Sequence, residues 1–144
     1  MNHCDRSVCV ETVRGDSVSG DLTRADKKKV RQLADIAWER ELRNEIRGIA
    51  AAINEMENGF LSPFDVNDRI HKFHNGASRD LYRQYSESLP WLGVCRAFFD
   101  RVLTDDDLVD ASDEVRAGIA EYLASFARLE AEEEAAIDDD CEGR

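Results

Sequence analysis

Apolar residues in this chain return at alternating steps of three and four, over windows that only helices can use. Leu42, Ile46, Ile49, Ile53 and Met56 form one such seam, and Val115, Ile119, Tyr122, Phe126 and Leu129 form another. Steps of three and four keep side chains on one face of a helix, whereas a strand needs strict alternation, which no segment shows. Only two prolines occur in 144 residues, so little interrupts the pattern. The chain is therefore expected to be all-α: a helical bundle of four to five helices, two of them long, around one core.

Local signals set the boundaries. Thr23 followed by Asp26 has capping-box spacing and predicts a helix from Arg24 to about Asn58. Gly59 closes it in the left-handed conformation, and a bend near Gly48 is allowed. Ser62-Pro63-Phe64-Asp65 is the clearest start signal, with serine as cap, proline in the first helical position and aspartate closing the box. That helix carries Val66, Ile70 and Phe73 before meeting Asn75-Gly76. Leu81 and Tyr85 keep its phase, so one kinked helix to about Glu87 and two helices hinged at Gly76 both fit. The segment from Trp91 to about Leu103 is apolar on nearly all sides, which suits the middle of a core or an oligomer interface. Thr104 can cap a short turn through Leu108, and Ser112 the last long helix.

Charge divides the chain further. Residues 1–22 lack periodicity and read as a disordered arm, residues 23–129 as a single helical domain, and residues 130–144 as an acidic tail. The net charge is −12, yet residues 130–144 hold eight acids against one arginine. The body is close to balanced, which weakens any reading as an acidic mimic of nucleic acid. Lys27, Lys28 and Lys29, flanked by Arg24 and Arg31, form the one basic cluster. They lack interleaved aromatics, so nucleic acid is not an expected partner. No run approaches the roughly 20 apolar residues of a membrane span, and no apolar signal core marks the first seventeen residues. A cytoplasmic protein is the expectation, with Cys4, Cys9, Cys95 and Cys141 as thiols rather than disulfides.

Chemistry-bearing residues gather in one place. His71 and His74 stand three apart, with Asp68 three before them. Carboxylate-x-x-His on a bundle helix is half of a di-iron ligand set, but the remaining histidine, His3, lies in the arm and cannot complete it. A zinc site from His71, His74 and one of Asp68, Glu55 or Glu121 is the metal reading that remains; no cofactor is expected. Arg79 and Arg83, four apart, have the spacing to hold an anion or pair along a solvated face. The stretch Ile70-His71-Lys72-Phe73-His74-Asn75-Gly76-Ala77-Ser78-Arg79-Asp80-Leu81-Tyr82-Arg83-Gln84-Tyr85 resembles an I-H-x-F-H-x-G-x-x-R-x-L-x-x-x-Y pattern of small bacterial helical proteins. The resemblance covers sixteen residues and implies no particular activity. It does group His71, His74, Arg79 and Tyr85, with Tyr82 between them, as one candidate polar cluster.

No phosphate loop, dinucleotide fingerprint or serine elbow is present. The expected function is therefore an interaction protein, adaptor or regulator rather than an enzyme, binding another protein or a second copy of itself. The alternative is a small metal-binding or hydrolytic protein built on His71 and His74.

Overall fold

The computed structural model describes residues 22–141, with side chains for residues 22–135. The arm read over residues 1–22, Leu22 apart, and the end of the acidic tail lie outside the described residues. Among the described residues the chain is all-α: α1 (Arg24–Glu57), α2 (Pro63–Asn75), α3 (Ala77–Tyr85), α4 (Trp91–Phe99) and α5 (Asp113–Cys141), with one 3₁₀ turn at Asp105–Leu108. Two of the helices are long, as the seams require.

The start signals act as their chemistry dictates. Asp26 accepts from the Thr23 N–H at 2.9 Å while the Asp26 N–H donates to the Thr23 hydroxyl at 3.1 Å. Ser62 and Asp65 make the same reciprocal pair at 2.9 and 3.2 Å. The Val115 N–H donates to the Ser112 hydroxyl at 3.3 Å. Each satisfies donors that a helix start otherwise leaves orphaned. α1 then runs without a break through Gly48, and Gly59 follows it with φ +79°.

Gly76 decides between the two readings of the segment after Pro63. Its N–H donates to the Lys72 carbonyl at 2.9 Å, ending α2, while its own carbonyl accepts from Arg79 and Asp80 at 3.0 Å, starting α3. A Cβ here would sit 2.9 Å from that Lys72 carbonyl oxygen. Two hinged helices result.

The apolar segment from Trp91 ends earlier than expected, at Phe99 rather than about Leu103. Arg101 takes a left-handed φ of 60°, and the Val102 and Leu103 N–H groups fold back onto the Ala97 carbonyl at 2.8 and 3.0 Å. Leu103 remains buried, but from a turn. Burial and helix are separable there, and composition registers only burial.

α1 packs on α2, α3 and α4, and α5 packs on α4. The core joins Val30, Leu33, Ala34 and Ala37 of α1 to Val94, Cys95, Ala97 and Phe98 of α4, with Tyr85, Leu103, Leu108, Val115 and Ile119 closing it. Leu22, placed in the arm by the sequence reading, is buried in this cluster. Arg40 ties α1 to the turn after α4, meeting both Asp107 oxygens at 2.7 and 2.8 Å and the Val102 carbonyl at 2.9 Å. That guanidinium, ahead of all other causes, holds the Asp107 carboxyl below its usual range.

The core uses only part of the two long helices. From Trp38 onward, Ala52 is the one fully buried residue of α1. On α5 the described residues beyond Phe126 are all exposed, and the helix carries the acidic segment out to Cys141.

Candidate functional site

The seam between α1 and α3 gathers most of the polar residues singled out above. On one side of it, Trp38 and Leu42 of α1 face His74 and Asn75 of α2 and Ser78, Arg79 and Tyr82 of α3 around an open groove of about 340 Å³. Trp38 and Tyr82 meet edge to face, centroids 5.9 Å apart and planes at 68°. This gives the groove an aromatic wall, with His74 and Arg79 on its lining. On the other side of the seam, Glu41, Asn44 and Glu45 face Ala77, Asp80, Leu81 and Gln84 around a second groove of about 280 Å³.

The candidate cluster is thus brought together in part. His74, Arg79 and Tyr82 share the first groove. His71 is exposed on α2, about 60° around the helix from His74, and does not line it. Asp68 is exposed and lies 3.5 Å from Lys72, one turn on. Among the described residues, no three His, Cys, Asp or Glu side chains stand close enough to hold a metal ion.

Tyr85 turns the other way, into the core. Its hydroxyl faces the Glu41 carboxyl across the seam, yet neither that hydroxyl nor Glu41 Oε2 makes a hydrogen bond of normal geometry; the buried Trp38 Nε1 is likewise unpaired. Burial raises the Glu41 pKa above the usual carboxylate value, against the lowering effect of the Tyr85 hydroxyl. The sequence reading passed over Trp38 and Glu41 as site residues. The available signal was phase: Glu41 follows the buried Ala34 and Ala37 by seven and four residues, which places a carboxylate on an inward-facing stripe.

Burial also raises the Tyr85 hydroxyl above 10.0, Glu41 adding to it, and pushes the Cys95 thiol from 9.0 up to about 12. The folded chain keeps protons here that the unfolded chain releases. The stability they contribute is full below about pH 9 and is lost as pH rises from there toward 12. Urea midpoints measured at rising alkaline pH should fall, each group adding at most about 1.4 kcal/mol per pH unit. Cys95→Ala and Tyr85→Phe should each flatten the decline, whatever they cost at neutral pH.

A second feature lies along the outer flank of α1 and α2. Ile46 and Ile53 are 50% and 42% exposed, and Ile70 of α2 is also exposed. These belong to one flank. Arg69 and Glu55 approach within 3.9 Å on the far side of the hairpin, whereas His74, one turn after Ile70, meets Trp38 and Leu42 on the near side. Ile46 in turn lines a shallow apolar depression with Glu39, Leu42 and Arg43. The first groove thus opens onto an aliphatic stripe running up the hairpin, past which Phe60 stands 81% exposed at the tip.

No family model, curated protein or solved structure matches the chain. Its chemistry is therefore read from its own surfaces. Among the described residues, no helix is long and apolar enough to cross a membrane.

Proposed function

We propose that this chain is a cytoplasmic interaction protein, an adaptor or regulatory bundle that docks a helix of a partner protein along the outer flank of α1 and α2. The observation that carries this reading is the exposed row of Ile46, Ile53 and Ile70, continued by the half-buried Leu42, on one flank of a two-helix hairpin. Aliphatic side chains at steps of three and four, left half in water, are the anchor pattern that helix-in-groove recognition uses. A contiguous apolar row on a chain of 35% charged residues marks a surface shaped for covering. The His71/His74 metal or hydrolytic alternative has less to stand on, because only His74 reaches a groove.

A photo-crosslinking amino acid tests the proposal in cells of the native host. Placed at Ile46 or Ile53, it should capture protein adducts that mass spectrometry can assign. Placed at Gly48, where an added Cβ meets nothing within 4 Å, it should capture far less. Equal capture at all three positions, or none, overturns the docking face.

A further inference from the structure

The docking face carries a charge pattern that points to its occupant. In a heptad frame over α1, Leu42, Ile46, Ile49, Ile53 and Met56 take the a and d positions of a helix-pairing seam. Ala52, on the side toward α2, is buried. The positions flanking the seam on the open side are Arg43, Ala50 and Glu57, all exposed. Read from one end this row is basic, small, acidic; read from the other it is acidic, small, basic. In an antiparallel pair these same flanking positions face one another, so the row meets its own reverse and matches opposite charges.

The end of α1 supplies an independent reason. Its last turn contains Glu55 and Glu57 and no base, although the negative end of a helix dipole favours cations. Among the described residues no cation lies within salt-bridge distance of Glu57, while Arg43 pairs with Glu39 one turn back. Arg69 serves Glu55 from α2 at 3.9 Å, and an antiparallel neighbour delivers a second guanidinium to Glu57.

We infer that the occupant is a second copy of this chain, laid antiparallel along α1 so that Arg43 of each copy meets Glu57 of the other. This rests on the docking reading above and deepens it. Ala50 then faces Ala50, where small side chains let the helices approach closely. The seam layers Ile46 on Met56 and Ile49 on Ile53 of the second copy and brings Leu42 against Phe60 at the hairpin tip, over roughly 23 Å of helix. With α2 behind each α1, the pair becomes a four-helix arrangement, and the half-exposed aliphatic row becomes its core.

Charge exchange tests the pairing on the full chain. Sedimentation equilibrium should report twice the monomer mass for the wild type. Arg43→Glu alone and Glu57→Arg alone each bring like charges together twice, and should weaken association about tenfold or more. The double variant, Arg43→Glu with Glu57→Arg, restores opposite charges and should recover wild-type association. Both positions are exposed, so far-UV circular dichroism should confirm unchanged helix in every variant. A monomeric wild type, single variants that pair as well as the wild type, or a double variant that fails to recover would each overturn the antiparallel pairing. A monomer whose Ile46 position still crosslinks to a different protein removes self-pairing and leaves the docking face standing; a monomer with no adduct removes both.

Discussion

Gly93→Val should destabilise the fold by about 3 kcal/mol, read as a lower urea midpoint with an unchanged slope. Gly93 lies in α4 where it crosses the end of α3. A Cβ there would stand 2.7 Å from the Gln84 carbonyl oxygen, 3.1 Å from Gln84 Cγ and 3.3 Å from the Tyr85 ring. The first of these is backbone and cannot swing aside, so the two helices must separate. Two effects compete at this site. Removing a helical glycine gains about 0.8–1 kcal/mol, while overpacking a tight contact costs about 1–3 kcal/mol. Gly93→Ala should therefore already lose, and valine, with two further methyl groups, should lose more. Gly48 is the control: it also lies inside a helix, but an added Cβ meets nothing within 4 Å. There only the helix term acts, and Gly48→Ala should gain up to about 1 kcal/mol.

Leu33→Ala should cost about 3–4 kcal/mol. Leu33 is fully buried and among the largest side chains so placed. It belongs to the cluster in which α1, α4 and α5 meet, and the rigid helices around it limit how far a cavity there can collapse. A chain of this length folds with a margin of only about 5–15 kcal/mol, so the variant should unfold at clearly lower urea. Ile46→Ala offers the comparison, since its side chain is half exposed. In the monomer it should cost well under about 1 kcal/mol, its burial term being only partial. A loss at Ile46 that grows with protein concentration would report burial between copies rather than within one.

The features legible in the sequence are those whose cause is local. Thr23 with Asp26 and Ser62 with Asp65 act within a single turn, so their spacing is enough to find them. The long seams are legible because one apolar face suffices to reveal a helix. What the sequence reading missed depends on distant groups. The Arg40–Asp107 pair joins residues 67 apart, and neither residue carries a local mark of it. Leu22 lies outside any helix, so no period could show that it is buried. The end of α4 was overrun because Leu103 is as apolar in a turn as it would be in a helix.

The candidate cluster divided for a definable reason. The grouping of His71, His74, Arg79, Tyr82 and Tyr85 follows a sixteen-residue pattern that runs across Gly76, where the chain restarts its helix. The restart leaves His74, Arg79 and Tyr82 around one groove and sends Tyr85 toward Glu41. His71 lies about 60° from His74 within α2 itself, so it would fall away from the groove with or without the break.

The unbroken course of α1 gives the antiparallel pair a definite shape. One rod holds the core with its first four turns and presents the self-matching stripe with its last four. Pairing about Ala50 would thus place the two cores on opposite ends, their centres about 50 Å apart by helical rise. The assembly would be a dumbbell with a slender four-helix handle, longer than two packed globules of the same mass. Whatever each core engages, the handle would hold the two engagements at a fixed spacing and facing, as a ruler does.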